Sequence, residues 1–382
     1  MSIQRILING LSMGSGGGYT VGIELFLHIA KARPSWKVTL AAISGNTLHE
    51  EAKSLVLPAN CHLVWATAST SNIRNRMAYE RRELAAWARS NTVSAILQLN
   101  GMIIPGIGIP TVAHCQDPWP YRPEAWEKKT DAIKAFLKRR ANKAAFQKAA
   151  FVGWTSGYLK NLMCDRLGVT PKNGGVIYNG IPDDWIKQAQ TAMPPFAGRP
   201  LEIVTISNVA PYKQQELVVR AMPILVKIPG LEKLKYRIAG HCQPDYATHL
   251  KKLATDLGVA DAVILEGRVS RERIVELFSN ARCYVLMSKC ESFGLPAIEA
   301  MAFGTPVIAA DCCAIPEVCG KAAQLCGMDD LPGLIDAIAK VILDPSLAKH
   351  MRIEGLNTLR RYSWAKAGEQ MAEAIDLIVK AK

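Results

Sequence analysis

Two glutamates stand eight positions apart in the part of the chain whose residue types are best suited to chemistry. Glu291 is followed by a Ser-Phe-Gly-Leu-Pro turn at residues 292–296, and Glu299 follows in a predicted helix. A strand that ends near Met287 would place Glu291 at the carboxyl edge of a sheet, where open α/β folds bind ligands. Carboxylates at that edge can accept hydrogen bonds from hydroxyl groups.

The turn between the two glutamates is suited to binding a phosphate through its backbone. Gly294 allows a ligand to approach the chain closely, and Pro296 suits the first turn of a helix over residues 296–303. Free amides and partial positive charge at a helix start favour an anion. Since Glu299 can reach a ribose diol and Glu291 the hydroxyls of a sugar, the segment predicts a sugar-nucleotide site.

Residues 288–309 resemble the retaining glycosyltransferases of the GT-B fold, in particular family 4 (group 1), whose E-x7-E motif they match without a gap. The resemblance implies that Glu291 contacts the transferred sugar and that Glu299 contacts the ribose. It also implies donor contacts from the residues of the turn, which are Ser292, Phe293, Gly294 and Leu295. The implied fold class is α/β, with two Rossmann-like, doubly wound domains that face a central cleft.

The length and rhythm of the chain independently favour two domains. At 382 residues it exceeds what one core usually supports, and apolar runs alternate with helical patterns as in βαβ units. The Pro-rich stretch 193–200 is the expected linker, so we predict an N-terminal, acceptor-binding domain over 1–195 and a C-terminal, nucleotide-sugar-binding domain over 196–382. The resemblance implies that the last helix, about 363–382, crosses back to the first domain.

A glycine-rich loop lies between the first strand and the first helix. Gly16, Gly17 and Gly18 belong to a Gly-Ser-Gly-Gly-Gly run that satisfies neither the P-loop nor the dinucleotide fingerprint. A flexible turn is one interpretation. The resemblance favours the other, in which this loop lies against the donor diphosphate and the acceptor.

Lys213 ends the strand and loop that open the second half of the chain. A departing diphosphate without a metal needs a fixed cation, and the resemblance implies that Lys213 supplies it. The family commonly has an Arg several residues earlier, where this chain has Ser207 and Asn208. We predict Asn208 as a donor contact, Arg268 as the compensating cation and the backbone of Val269 as a contact to the base. A solvated surface role for Arg268 is an equal alternative.

His114 ends an apolar strand at the carboxyl edge of the first predicted sheet. Its position resembles that of the family histidine that contacts the donor sugar, although a lone histidine is more often structural. Asp117 is the weaker candidate, because Asp before Pro is a common turn former.

The segment after the central motif departs from the family pattern. Residues 313–317 read Cys-Ala-Ile-Pro-Glu where the family usually has Gly-Gly-Ile-Pro-Glu. Loss of glycine limits positive φ, so the sequence leaves the shape of this loop open, while the reaction is expected to be unaffected.

Neither metal nor disulfide chemistry is indicated by the residue spacing. The ten cysteines are scattered without the C-x2-C spacing of a zinc site, and no Asp-x-Asp motif occurs. We therefore expect a reduced cytoplasmic chain with no cofactor or metal and a nucleotide sugar as co-substrate. No signal peptide is visible, and the uncharged stretch from Ser90 to Gln116 is too interrupted to span a bilayer.

The net charge of +13 is concentrated in the first half of the chain. Residues 1–195 contain 23 Lys/Arg and 12 Asp/Glu, whereas residues 196–382 contain 23 and 21. Residues 128–148 hold eight of these cations, with Asp131 as their one acid, in a helix that also contains apolar residues. We predict that the first domain binds an anionic membrane at the cytoplasmic face. A solvated helix face is the alternative; no module supports nucleic-acid binding.

The resemblance implies retention of anomeric configuration, with the diphosphate taking the proton of the attacking hydroxyl. Residues 207–213 resemble mannosyl- and rhamnosyltransferases of bacterial surface polysaccharides, including lipopolysaccharide. They favour GDP-mannose or a GDP-deoxyhexose as donor, with UDP-sugars left open, and a glycan or a lipid-diphosphate-linked sugar as acceptor. A GT-B epimerase, a phosphorylase and a non-catalytic scaffold are the alternatives.

Overall fold

The structure is a computed structural model that describes residues 3–13, 16–45, 47–51, 56–182, 184–185 and 196–381. The chain divides into two compact units. The first contains Met1–Tyr121, Ala132–Gly180 and Trp364–Lys382, and the second contains Arg122–Asp131 and Ile181–Ser363.

The first unit is built on a parallel sheet of seven strands in the order β3-β2-β1-β4-β5-β6-β7. The strands are β1 Arg5–Asn9, β2 Lys37–Ile43, β3 Cys61–Ala66, β4 Ala95–Gln98, β5 Thr111–Cys115, β6 Phe151–Trp154 and β7 Gly174–Val176. Its helices are α1 Gly17–Ala32, α2 Thr47–Glu51, α3 Ile73–Tyr79, α4 Ala85–Ser90, α5 Asp131–Lys148, α6 Gly157–Leu167 and α14 Trp364–Lys380. A π-helical turn, Glu80–Leu84, joins α3 to α4. Because β1 and β4 are neighbours whose connections lead to opposite ends of the sheet, the topological switch point lies between them.

The last helix packs against the first helix of the same unit. Arg33 at the end of α1 donates to Glu369 over 2.7 Å and to Asp376 over 3.0 Å. Gly368 permits the close approach, because a Cβ at that position would come within 2.5 Å of the Cβ of His28. α14 therefore completes the first unit although it is the last element in sequence.

The second unit contains a parallel sheet of six strands in the order β10-β9-β8-β11-β12-β13. The strands are β8 Glu202–Ile206, β9 Lys235–Ala239, β10 Val263–Gly267, β11 Cys283–Leu286, β12 Val307–Ala310 and β13 Ala323–Cys326. The helices are α7 Gln215–Leu225, α8 Pro244–Asp256, α9 Arg271–Asn280, α10 Leu295–Ala302, α11 Ile315–Cys319, α12 Leu331–Leu343 and α13 Pro345–Leu359. β11 and β12 are buried along their whole length, as is typical of parallel strands that have helices on both faces of the sheet.

A buried arginine joins several elements of the second unit. Arg199 is 2% exposed and donates to the carbonyls of Ala281 and Phe303 and to the hydroxyl of Thr305. Burial, with smaller contributions from neighbouring arginines, lowers the pKa of this guanidinium to about 9.

Two doubly wound parallel sheets confirm the predicted fold class.

Candidate active site

Glu291 and Lys213 meet at the carboxyl edge of the second sheet. β11 ends at Leu286, and the loop after it carries Glu291, while Lys213 lies in the turn that follows β8. The Lys213 Nζ donates to the Glu291 Oε1 over 2.5 Å, and the side chains are 12% and 10% exposed. Burial alone would lower the pKa of Lys213, but the Glu291 carboxylate outweighs it and raises the pKa above its usual value. Two residues 78 positions apart thus form a charged pair shielded from water.

The backbone around this pair is held in unusual conformations. Gln214, Cys313 and Asp329 have φ angles of 54°, 58° and 60°, in the region that disfavours side chains other than glycine. The Gln214 amide donates to the Asp329 carboxylate, which also pairs with the Lys289 Nζ over 2.9 Å. Asp329 therefore ties the turn of Lys213 to the loop of Glu291, and strain gathered in this way is typical of functional sites.

The turn after Glu291 begins a helix close to the predicted position. Gly294 has a φ of 85°, and a Cβ there would lie 2.5 Å from the Cδ1 of Ile315, so this position requires glycine. Phe293 and Leu295 are 1% and 7% exposed and pack inside the unit. Their contact with a ligand is therefore limited to backbone atoms. Ser292, by contrast, is only half-buried.

Glu299 lies one turn into α10 and is half-buried. Burial raises the pKa of its carboxyl to about 7, and the nearby charge of Arg271 opposes the shift. Arg271 itself donates to Asp184 over 3.1 Å and lies over the ring of Trp185. At neutral pH Glu299 is consequently divided between its protonated and charged forms.

The remaining predicted donor contacts differ in exposure. Arg268 is exposed and follows Gly267 at the end of β10, and Val269 beside it is half-buried. Asn208 is exposed, and its carbonyl accepts from the Gln215 Nε2 over 2.9 Å.

Two cations near the Glu291 loop were missed by the sequence analysis. Lys289 stands two residues before Glu291, so its position was a usable signal. No sequence signal pointed to Arg122, because it lies in the first half of the chain, far in sequence from Glu291. The short turn Pro123–Ala125 packs against Pro211–Lys213, and the Arg122 Nη2 lies 3.8 Å from the Sδ of Met328.

His114 belongs to the first unit and lies within β5. It is fully buried, and neither ring nitrogen has a hydrogen-bond partner among the residues that the structure describes. Burial lowers the pKa of His114 to about 4, so the imidazole is neutral at pH 7. Gly153 in β6 makes room for it, because a Cβ there would lie 2.8 Å from the Nδ1.

The glycine-rich loop borders a cavity in the first unit. Gly16 has a φ of 82° and precedes α1, which begins at Gly17; Gly14 and Ser15 lie outside the described residues. Gly18 lines a cavity of about 280 Å³ at the carboxyl ends of β1, β4 and β5. The polar residues of its wall are Ser12, Arg76, Asn100, Gln116, Asp117 and Lys138.

Within the described part of the chain, no cluster of three His, Cys, Asp or Glu side chains could hold a metal ion. All ten cysteines are free.

Comparison with known families identifies the second unit. Residues 187–358 match the family model described as Glycosyl transferases group 1. The chain contains a glycosyltransferase group 1 domain. The matched region includes Lys213, Glu291 and Glu299, whereas His114 and Gly16–Gly18 precede it.

Curated relatives of this chain align over part of their length. The D-inositol 3-phosphate glycosyltransferase of Nocardia farcinica is 27% identical over 218 residues, which is 55% of this chain and 47% of that protein. The MMP alpha-(1->4)-mannosyltransferase of Mycolicibacterium hassiacum is 33% identical over 127 residues, 31% of this chain and 30% of that protein. The chain thus spans less than half the length of these relatives.

Solved structures resemble the whole chain. Sucrose-phosphate synthase from Thermosynechococcus elongatus superposes with a TM-score of 0.80 at 18% identity, covering 99% of this chain and 100% of that one. The Anabaena protein HepE, solved with UDP and glucose, gives a TM-score of 0.76 at 19% identity, with 98% and 100% covered. These likenesses confirm the predicted GT-B fold of the chain.

Proposed function

We propose that this protein is a retaining, metal-independent hexosyltransferase that moves a sugar from a nucleotide-sugar donor to a glycan or a lipid-diphosphate-linked acceptor. The observation that carries the proposal is the shielded pair of Lys213 and Glu291 beside the start of α10, within the region that matches glycosyl transferases group 1. Such a pair presents a cation and a carboxylate at one edge of a sheet, which suits a ligand with a phosphate at one end and hydroxyls at the other.

Different residues of the second unit bind different parts of the donor. Lys213 stabilises the charge that develops on the leaving diphosphate, together with the amides at the start of α10. Glu291 accepts hydrogen bonds from the transferred sugar, and Glu299 accepts from the ribose. Arg268, Val269 and Asn208 complete the nucleotide contacts. Donor binding would therefore separate Lys213 from Glu291 and give each a new partner.

The first unit supplies the acceptor side and one contact to the donor sugar. That contact is His114, whose neutral ring can donate one hydrogen bond to a hydroxyl of the donor sugar from one nitrogen and accept one at the other. The glycine-rich loop, Gly16–Gly18, leaves backbone close to the diphosphate and the acceptor. The bond from the anomeric carbon to the diphosphate oxygen breaks, a bond to the acceptor oxygen forms on the same face, and the diphosphate takes the acceptor proton.

GDP-mannose or a GDP-deoxyhexose is the donor we favour. Relatives named as mannosyltransferases support a hexose of this type, among them the serotype-specific mannosyltransferase WbdA of Escherichia coli, 22% identical over 182 residues, 47% of this chain and 22% of that protein. HepE was solved with UDP and with UDP-glucose, which makes UDP-sugars the direct competitor in any test.

The charge of the first unit supports peripheral association with the cytoplasmic face of an anionic membrane during polysaccharide or glycolipid synthesis. None of the helices in the described ranges is long and apolar enough to cross a bilayer. Lys134, Arg140 and Lys143 project to solvent from α5, and each cation near a membrane contributes about 1 kcal/mol.

The test is a thermal-shift panel of GDP-mannose, GDP, UDP-glucose and UDP with EDTA present, followed by a transfer assay with the stabilising donor. We expect one nucleotide series to raise the melting temperature and to give a product with retained configuration. Donor conversion without acceptor would favour an epimerase, and dependence on inorganic phosphate would favour a phosphorylase. Absence of any shift or turnover would overturn the proposal in favour of a non-catalytic scaffold.

A further inference from the structure

Two adjacent cysteines, Cys312 and Cys313, follow β12 at the carboxyl edge of the second sheet. Cysteines are neighbours at no other position of the sequence, and Cys313 stands where the family pattern has glycine. Both are present as thiols; Cys312 is half-buried and Cys313 is 9% exposed. The proposed transfer uses neither of them, so this pair is a feature that the donor site does not explain.

The two thiols contact consecutive carbonyl groups of the loop that carries Glu291. The Cys312 Sγ donates to the Ser288 carbonyl over 3.2 Å, and the Cys313 Sγ donates to the Lys289 carbonyl over 3.3 Å. The Cys313 thiol also lies within hydrogen-bonding range of the Cys312 thiol. The structure therefore holds two sulfur atoms side by side against one loop.

The backbone conformation at Cys313 is what allows this arrangement. Successive side chains of an extended chain point to opposite sides. Cys313 instead has a φ of 58°, in the left-handed region, and its side chain reaches the same loop as that of Cys312. An unusual backbone conformation and a pair of juxtaposed thiols thus occur at the same residue, beside the candidate active site.

The surroundings of the pair disfavour reagents that attack one thiolate. The neighbouring Cys313 thiol and burial raise the pKa of Cys312 above its usual value, and the charge of Arg122 opposes the shift. Because the thiolate is the nucleophile, Cys312 should react slowly with a monofunctional alkylating agent at pH 7. A ligand that bonds to both sulfurs differs, since the second sulfur is already in place once the first bond has formed.

The number of sulfur atoms limits the class of ligand. Within the ranges that the structure describes, no third His, Cys, Asp or Glu side chain completes a metal-binding cluster with this pair. A structural zinc ion needs four ligands, so a ligand that is satisfied by two sulfurs fits better. Trivalent arsenic that carries one organic group bonds to two thiols and meets this requirement.

We propose that Cys312 and Cys313 form a dithiol site for a thiophilic ligand of the trivalent arsenical class, and that its occupation weakens donor binding by releasing the loop of Glu291. With an organoarsenic oxide, two As–S bonds replace the two S–H bonds, and the oxide oxygen leaves as water with both protons. The reaction needs neither an oxidant nor a reductant. Only the effect on the donor rests on the proposed function.

Loss of the thiol protons connects the dithiol site to the donor site. Once both sulfurs are bonded to arsenic, the carbonyls of Ser288 and Lys289 lose their thiol donors. These carbonyls lie three and two residues before Glu291, whose carboxylate accepts from Lys213 over 2.5 Å. A change in the loop therefore moves a carboxylate whose position donor binding depends on.

The first test measures the binding of phenylarsine oxide to the full chain by mass spectrometry. We expect one arsenical per chain, retained in excess β-mercaptoethanol and released by dithiothreitol. Its affinity should exceed that for Cys312→Ser and for Cys313→Ser at least about a hundredfold. Peptide mapping should show these two cysteines protected from iodoacetamide. The matched control is Cys164→Ser/Cys242→Ser, which removes the other two half-buried cysteines and should bind like the wild type.

Two results would overturn the dithiol site. One is equal affinity of the wild type and the two single variants, and the other is protection of cysteines other than Cys312 and Cys313. If Cys313→Ser does not fold, Cys313→Gly removes the same thiol, and glycine tolerates the φ of 58°.

The second test measures the binding of GDP-mannose and UDP-glucose by calorimetry, with and without bound phenylarsine oxide. The donor that binds the untreated protein should bind at least about tenfold more weakly to the arsenical complex. The same reagent should leave donor binding by Cys313→Ser unchanged. Unchanged donor affinity of the wild type at full occupancy would refute the connection to the donor site. Binding of neither donor to the untreated protein would remove the proposed function and leave the dithiol site intact.

Discussion

Lys213 and Glu291 form an ion pair over 2.5 Å, although the proposed function assigns the two charges to different parts of the donor. Each charge neutralises the other, so the pair keeps a cation and a carboxylate desolvated without leaving either uncompensated. Under the proposed function, phosphate and sugar hydroxyls would replace this contact, and donor binding would include the separation of the pair.

Removal of either partner should abolish transfer. We expect Lys213→Ala and Glu291→Gln each to lower kcat at least about a thousandfold, because one removes the charge opposite the leaving diphosphate and the other the acceptor for the sugar. Each single variant should also lower the free energy of unfolding by about 3 kcal/mol, since the remaining charge is left shielded and unpaired. Kinetics and denaturant titration check the two effects.

The double variant Lys213→Ala/Glu291→Ala serves as the control for stability. It should recover most of the lost unfolding free energy, because no uncompensated charge remains, and stay inactive. Full activity in any of the three variants would contradict the assigned roles.

The raised pKa of Glu299 predicts a pH dependence. Because burial raises the pKa of the folded state to about 7, the carboxyl stabilises the fold fully below its unfolded pKa of about 4.3 and loses that contribution as pH rises through 7. The charged form is the better acceptor for ribose hydroxyls, so the KM for the donor should fall as pH rises through 7.

Glu299→Gln separates the two effects. The variant should have a higher donor KM with little dependence on pH, and above pH 7 it should be at least as stable as the wild type. Donor KM and melting temperature measured from pH 5 to 9 check this. The assignment of Glu299 fails if the wild-type profile is flat across neutrality.

Local signals in the sequence were sufficient for the elements near the site. Gly294 and Pro296 placed the start of a helix at 296, one residue after its observed start, because capping depends on neighbouring residues only. Contacts over long separations were not predictable. Lys289 and Gln214 meet at Asp329, and neither residue type indicates which loop lies opposite it.

Sequence patterns also could not assign the faces of α5. Its apolar residues were grouped as one set, yet Ala135 and Phe146 lie in the core while Ile133 and Phe136 are exposed. Helical periodicity shows that two residues share a face but not which face meets the sheet. The roles of the site residues remain predictions.

Cys313, in the loop after β12, has a left-handed backbone conformation although it is not a glycine. Its φ of 58° costs about 1 kcal/mol for a residue with a side chain. Cys313→Gly should therefore leave the melting temperature unchanged or raise it, although it loses the thiol contact with the Lys289 carbonyl. Cys313→Val, β-branched at the same φ, should destabilise the protein by more than about 2 kcal/mol. Thermal denaturation of both variants checks the prediction, and a lower melting temperature for the glycine variant than for the valine variant would contradict it.

Arg199 tests whether stability of the second unit can be changed without changing donor recognition. Its guanidinium supplies hydrogen bonds to Ala281, Phe303 and Thr305 inside the unit. Arg199→Met fills a similar volume but leaves three acceptors without donors, so we expect the free energy of unfolding to fall by about 3 kcal/mol. Arg199→Lys should lose less, because one of the bonds can be retained. The hydrogen bonds of Arg199 go to residues other than Glu291 and Lys213. The KM for the donor at low temperature should therefore match the wild type in both variants. A changed KM at unchanged stability would show that Arg199 positions the donor instead of the fold.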